Sequence, residues 1–372
     1  MAFDRSLPYN ALPDLPPPED VETVPILRAT IRARSLLSEL KGYCLTLPHP
    51  EILLNTVVLQ ESRDSSAIEN IVTTQDELYR ALASPEDSAG APPQVREVLR
   101  YREAIYAGMR EMERTKGIST GVMVRIMQTL KQTTESVRAM PGTKLANPAT
   151  REIIYTPPEG EAVIRDKLQA LEGFINGESL PYDPLVVMAL MHYQFEAVHP
   201  FSDGNGRTGR ILNVLFLLDR DLLTLPVLYI SGYVVRHKAD YYRLLRRVTE
   251  EGAWTDWILY MLDAVAETSQ ATLETIKGML RLQAQATEDA KAALPRGPAR
   301  EIVDLMFSYP YLKISTLEAE GIAKRQTAST YLHALTKESG GPGLLRPVKV
   351  GRDVYFINDP LVRLLAAPPQ PP

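Results

Sequence analysis

The chain has 372 residues, 45% of them apolar and 23% charged, with a net charge of −5 at neutral pH. That length holds two or three domains with ample core, and the balance is that of a soluble globular protein. The acidic balance argues against a generally nucleic-acid-binding surface, the single cysteine (Cys44) excludes a disulfide framework and any Cys-based zinc site, and no apolar run reaches membrane-spanning length. The first residues carry no apolar signal core, so a cytoplasmic protein without membrane partners is expected.

Residues 1–20 are proline-rich and read as an extended arm on the body or a disordered lead. Helical spacing runs over 24–41, with Ile26, Leu27, Ile31, Leu36, Leu37 and Leu40 as core candidates. Pro48 and Pro50 interrupt it, and a second helix covers 51–60. Next comes Ser65-Ser66-Ala67-Ile68-Glu69-Asn70, in which Ser66-x-x-Glu69 has capping-box spacing and predicts a helix start. A loop rich in Pro, Ala, Gly and acidic residues over 84–94 separates this region from amphipathic helices at 95–112 and 118–132. Pro141-Gly142 and Asn147-Pro148 mark turns around the β-prone Ile153-Ile154-Tyr155, predicting a surface hairpin. A helix follows at 161–176.

Leu185–Val198 and Ile211–Leu218 are apolar on most faces and predict two buried helices. On the first, His192 reads as a packed structural group. Between the helices lies His199-Pro200-Phe201-Ser202-Asp203-Gly204-Asn205-Gly206-Arg207-Thr208-Gly209-Arg210. Pro200 ends the first helix and biases His199 towards an extended conformation at the loop edge. Gly204, Gly206 and Gly209 let backbone approach a ligand closely. The next helix, starting near Arg207, turns free N–H groups into the turn, a nest for phosphate. Arg207 and Arg210, three apart, serve neighbouring phosphate oxygens, and Asp203 is a hard oxygen ligand suited to magnesium. His199 is the group whose pKa suits proton abstraction.

His237–Tyr242 opens another amphipathic helix, on which Tyr241 and Tyr242 point about 100° apart, so at most one packs fully into the core. Trp254 and Trp257 begin the next helix, and a long Ala- and Gln-rich helix covers 270–294. Pro295-Arg296-Gly297-Pro298 is the clearest linker. Beyond it come a helix at 299–307, a helix-turn-helix over 314–335 and two strands turning at Gly351-Arg352. This resembles a winged helix, and Lys324, Arg325, Arg346, Lys349 and Arg352 suit phosphate contacts, although Glu318, Glu320 and Glu338 dilute the charge. DNA binding and protein docking both stay open.

The dodecapeptide matches the signature H-x-F-x-[DE]-G-N-G-R-x-x-R of the Fic family at every defined position. The resemblance implies a mainly α-helical Fic core with a small β-hairpin flap, followed here by the winged helix-turn-helix. The parts expected are an N-terminal arm and inhibitory region (1–94), a catalytic domain (95–294) and the winged-helix domain (295–372). It further implies transfer of AMP from ATP to a Ser, Thr or Tyr hydroxyl of a protein. His199 would be the general base and Asp203 the Mg2+ ligand, with Gly204, Asn205, Gly206, Arg207, Thr208, Gly209 and Arg210 on the nucleotide phosphates. An aromatic pair, here Tyr241 and Tyr242, would lie by the adenine. Many Fic proteins also carry [ST]-x-x-x-E-[GN] on an inhibitory helix, matched by Ser65, Glu69 and Asn70. There the glutamate pairs with the second arginine, here Arg210, and displaces the γ-phosphate. The target protein is not legible, and self-modification and homodimerisation stay open. Competing readings are a DNA-binding regulator with a nucleotide-sensing site, and a Fic enzyme that removes AMP or uses another phosphate-containing donor.

Overall fold

Helix α7 (Pro184–Val198) is the hub of the fold, and its sequence dictates this. Apolar residues run all round it, and every residue from Leu185 to Val198 except Glu196 is buried. Asp183 caps it, accepting the Leu185 N–H at 2.9 Å, and Pro184 occupies the first position, where no N–H is needed. Around it pack α1 (Val24–Leu45), α6 (Glu161–Ile175) and α8 (Asn205–Asp219). Trp257 of α11 (Trp254–Ala293) donates to the Ala189 carbonyl at 2.8 Å. The architecture, a computed structural model, describes residues 3–47, 50–83, 90–147, 150–177 and 179–366, side chains at 51, 52, 54 and 55 excepted. The expected breaks at Pro48 and Pro148 and most of the 84–94 loop lie outside the described residues.

Close contacts divide the chain into two units: Met1–Leu45, Gln60–Ile71 and Glu97–Ser269 in one; Thr46–Leu59, Val72–Arg96 and Gln270–Pro372 in the other. The divisions expected at 94/95 and 294/295 fall in the first turn of α4 (Pro93–Thr115) and just past the end of α11. The first unit is helical apart from a hairpin, β1 (Leu145–Ala146) paired antiparallel with β2 (Ile153–Tyr155). It includes α5 (Thr120–Lys131), α9 (Ile230–Arg236) and α10 (Lys238–Glu251). Of the two readings of the N-terminal segment, the arm holds: Tyr9 N–H donates to the Thr156 carbonyl at 3.0 Å, and Gln194 donates to that of Pro13 at 2.9 Å.

Four expectations need correction. On α1 the buried stripe is Ile26, Thr30, Ala33, Leu37, Leu40 and Cys44. Ile31, one position off that stripe and so turned by about 100°, is 70% exposed, Leu27 is exposed, and Leu36 is half-buried. The second helix, α2 (Glu51–Ile68), does not stop at Gln60, because neither Gly nor Pro lies within it. Ser66 and Glu69 therefore end a helix instead of starting one. The Ser66 carbonyl accepts the N–H groups of Glu69 and Ile71, both at 3.0 Å, and Asn70 closes the helix at φ 63°. Finally, 254–294 is not two helices but the single α11, which has no proline inside and carries the lone Gly278 without a break.

The second unit holds α3 (Gln75–Ala83), which sequence spacing missed although Thr74-x-x-Glu77 is a true capping box: Thr74 N–H donates to Glu77 at 2.9 Å and Glu77 N–H to Thr74 at 3.2 Å. Tyr79 of α3 meets Tyr311 with ring centroids 5.5 Å apart. Then follow α12 (Ala299–Ser308), β3 (Tyr311–Leu312), α13 (Ile314–Ala319), α14 (Arg325–Ala334), β4 (Arg346–Val350), β5 (Asp353–Ile357) and α15 (Asp359–Ala366). The sheet is antiparallel in the order β3-β5-β4, and β4 and β5 turn at Gly351-Arg352, with Val350 opposite Asp353. Among the described residues, no helix is long and apolar enough to cross a membrane.

Candidate active site

The loop from His199 to Gly204 joins α7 to α8 within the first unit, and three devices hold it. His199 is left-handed (φ 47°, ψ 60°), not extended as Pro200 suggested. Its N–H still closes α7 on the Phe195 carbonyl at 3.0 Å, and this left-handed cap turns the chain out of the helix. Asn205 clamps Phe201 from both sides, accepting its N–H at 2.9 Å and donating to its carbonyl at 2.8 Å. Arg138 gathers the carbonyls at the C-terminus of α7, where a cation is favoured. It donates to His199 at 2.8 Å, to Val198 at 3.4 Å and to Pro158 at 2.5 Å, while its N–H reaches the Pro200 carbonyl at 2.9 Å. Tyr155 of β2 donates to the Ala197 carbonyl at 2.8 Å, so the hairpin is tied to the same helix end.

Helix α8 begins after Gly204, itself left-handed at φ 84°. Its first intrahelical bond is Thr208 N–H to the Gly204 carbonyl at 2.9 Å, which leaves the amides of Asn205, Gly206 and Arg207 ahead of the helix ladder. Beside them Asp203 is 63% exposed, with its carboxylate 2.5 Å from Lys131 and 4.0 Å from Arg207. Partial burial works to raise its pKa, but Lys131 and Arg207 hold it below the usual carboxylate value. Among the described residues no group of three His, Cys, Asp or Glu gathers that would hold a metal alone. A single exposed carboxylate beside a phosphate cradle suits Mg2+, which takes one or two carboxylates and completes its shell with phosphate and water.

Arg207 and Arg210 are both buried. Arg207 donates to Glu97 of α4 at 2.7 Å. Arg210 is held from the end of α2: Nε donates to Ser65 Oγ at 2.8 Å, and Nη2 to the Ser65 carbonyl at 3.0 Å and to Glu69 Oε1 at 2.8 Å. Burial works against the Glu69 carboxylate, but Arg210 outweighs it and keeps the group ionised below its usual pKa. Lys238 of α10 secures the same segment by donating to the Ile68 carbonyl at 2.6 Å.

A cavity of about 760 Å³ opens over this cluster, bounded by Glu69 and Asn70, the hairpin residues Leu145 and Ile154, and Tyr242 and Leu245 of α10. His199, Glu196, Gly206 and Arg210 also line it. Burial, reinforced by Arg138, lowers the His199 pKa to about 4, so the imidazole is neutral and free to accept a proton at pH 7. Its Nδ1 has no hydrogen-bond partner among the described residues.

Thus His199, Gly204, Gly206, Arg210 and the trio Ser65, Glu69 and Asn70 come together, with Asp203 and Arg207 next to them. Three expected nucleotide contacts sit differently. The Asn205 amide is spent on Phe201, and Thr208 is fully buried. Tyr241 is buried, with its hydroxyl 2.8 Å from His192 Nε2, whereas Tyr242 is 47% exposed, although both line the cavity. The spacing argument that only one of the two packs fully is correct. Sequence reading missed Arg138, Glu97 and Lys131, whose partners lie far away in the chain, and Glu196. One local signal was available: two glycines one turn apart at the start of α8 mark something pressed against that face.

The Fic/DOC family N-terminal profile matches residues 27–110, the Fic/DOC family profile residues 117–217, and the profile for the C-terminal domain of SoFic-like protein adenylyltransferases residues 282–361. The chain belongs to the Fic/DOC family. Among curated relatives, the protein adenylyltransferase fic-1 of Caenorhabditis elegans is 32% identical over 130 residues, which are 34% of this chain and 23% of that protein. The protein adenylyltransferase Fic of Culex quinquefasciatus is 31% identical over 112 residues, 30% and 21% of the two chains. The match thus spans less than a quarter of the length of these relatives. The crystal structure of a Fic family protein from Desulfovibrio desulfuricans G20 aligns with a TM-score of 0.56 at 19% identity, over 92% of this chain and 98% of that one. A Fic domain containing signaling protein from Bacteroides thetaiotaomicron VPI-5482 gives 0.52 at 16% identity, over 68% and 97%. At these identities the likeness is one of fold.

Proposed function

We propose that this protein is an adenylyltransferase that moves AMP from ATP to a Ser, Thr or Tyr hydroxyl of a protein, and that Glu69 restrains it. The observation that carries the reading is the Glu69–Arg210 pair, formed in the same cavity as a neutral His199 and the open amides of α8. The nucleoside lies between the hairpin and Tyr242. The α8 amides and Arg207 receive the inner phosphates, and Arg210, once Glu69 leaves it, the terminal one. Asp203 would hold Mg2+, which would supply neutralisation of the phosphate charge. His199 takes the proton of the target hydroxyl, whose oxygen bonds to the α-phosphorus as the bond to the bridging oxygen breaks and pyrophosphate leaves. Positioning and charge neutralisation supply most of the acceleration. The unpaired edge of the hairpin receives the target segment by strand addition.

We further propose an inhibitory region (1–94), a catalytic domain (95–294) and a winged helix (295–372) in a cytoplasmic protein. The winged helix serves protein docking rather than DNA. Arg346 is taken by Asp359 at 2.6 Å and 2.8 Å, and Arg325 lies 3.9 Å from Glu318, so two of the five cations suited to phosphate face carboxylates instead.

The test incubates wild type, Glu69→Gly and Glu69→Gly/His199→Ala with ATP labelled at the α-phosphate, Mg2+ and cell lysate, with intact mass read alongside. Glu69→Gly is expected to label protein, itself or a target, and the added His199→Ala to lower labelling by about 100-fold or more. Absence of label despite ATP binding would favour AMP removal, another donor or nucleotide sensing.

A further inference from the structure

Gly206, Gly209 and Arg210 stand at i, i+3 and i+4 on α8 and share one face. Carboxyl oxygens fill the space that the two missing side chains leave. A Cβ on Gly206 would come within 2.5 Å of Glu69 Oε1, and one on Gly209 within 2.5 Å of Glu196 Oε1. Neighbouring positions on such a face are about 5–6 Å apart at Cβ, so two acids lie side by side against α8 with Arg210 next to both.

The two acids are not equivalent. Glu69 is hydrogen-bonded to the guanidinium, whereas Glu196 Oε1 is buried and has no partner among the described residues. Besides Glu69 from the end of α2 and Arg210 from α8, the titratable groups facing Glu196 are Tyr241 and Tyr242 of α10 and His199 beyond its own helix, all lining the same cavity. None of them hydrogen-bonds its carboxyl group. Burial raises the Glu196 pKa to about 7, with Arg210 opposing and Glu69 adding to the rise. One guanidinium already hydrogen-bonded to Glu69 does not also offset the burial of the unpartnered Glu196 Oε1.

We propose that Glu196 is a nucleotide-binding residue that reads the terminal phosphate: as a neutral acid it donates a hydrogen bond to the phosphate oxygen that replaces Glu69 on Arg210, and as a carboxylate it repels that phosphate. This rests on the nucleotide reading of the site. It follows that nucleoside triphosphate binding weakens as pH rises through the neutral range. AMP, which carries no phosphate as far as Arg210, is indifferent to Glu196.

The experiment measures ATP–Mg2+ and AMP binding by calorimetry from pH 6 to 9, using the full chain as Glu69→Gly and as Glu69→Gly/Glu196→Gln. Glutamine keeps a donor and removes the charge. In Glu69→Gly the ATP Kd is expected to rise by about tenfold per pH unit above the transition, as loss of one linked proton requires. In the double variant it stays flat from pH 7.5 to 9, and AMP Kd is the same in both. Titration of ATP itself is common to the two proteins and drops out of their ratio. Coinciding ATP profiles overturn the proposal. If the double variant melts early, Glu69→Gly alone decides, because parallel ATP and AMP profiles between pH 7 and 9 overturn it equally. No ATP binding at any pH removes the nucleotide reading itself, and this inference with it.

Discussion

Arg207 and Arg210 sit one turn apart on α8, both buried and both facing a carboxylate from a distant part of the chain, yet the two pairs are built differently. Glu97 projects from within α4, a helix continuing to Thr115. Glu69 lies just past the last residue of α2, and the left-handed Asn70 turns the chain away directly after it. The first acid is held by helix on either side, and the second only from behind. The same ion pair is therefore built as a strut at Arg207 and, in the function proposed above, as a latch at Arg210. What separates them is how the backbone carrying the acid is anchored.

The sharpest way to break that contrast is to neutralise each acid in turn. Glu97→Gln leaves a buried guanidinium without its carboxylate, with an expected loss of about 3 kcal/mol in chemical denaturation and no gain in AMP transfer. Glu69→Gln is expected to cost less stability and to raise transfer by about tenfold to 100-fold, the equivalent of one charge-assisted hydrogen bond. Equal gains in transfer from both would erase the distinction. A smaller effect follows from loosening the latch at its hinge. Asn70→Ala makes the left-handed residue about 1 kcal/mol costlier, so transfer is expected to rise by roughly fivefold while Glu69 itself is untouched. An unchanged rate there, measured with the same labelled ATP, would mean that the hinge does not hold Glu69. The smallest effect concerns Lys131, which lies 2.5 Å from Asp203 and 3.7 Å from Glu97. Because Asp203 is largely exposed, Lys131→Met is expected to lower the Mg2+ concentration needed for half-maximal ATP binding by no more than about fivefold; no change would place Asp203 outside the metal's reach.

The motif was legible because its chemistry is local. A histidine before proline, an acid, spaced glycines and two arginines lie within one turn and one helix start, and α7 announces its burial by having no polar face. The end of α2 was misread for an equally local reason. Ser66-x-x-Glu69 has the spacing of a cap, and only the absence of a breaker between 51 and 68 shows that the helix is still running. The true box at Thr74-x-x-Glu77 starts a helix too short for its spacing to stand out. Arg138 and Glu97 were invisible in principle. Their roles are created by packing between helices, and nothing in the neighbouring residues records a partner 61 or 110 positions away. The tyrosine pair falls between these cases: helical geometry told that one ring is inside, and only the fold decided that it is Tyr241.

The left-handed backbone of His199 bears on whether this site can be moved to another protein. Twelve consecutive residues look like a cassette, but a histidine at φ 47° followed by proline keeps that shape only while its carbonyl and its neighbours' are gripped. The grip is Arg138, outside the cassette and anchored also to Pro158 in the loop leading out of the hairpin. A graft of the dodecapeptide onto a foreign helix pair would carry every reactive group and still let the imidazole drift. The smallest transplantable piece is the two helices, the hairpin and that one arginine together.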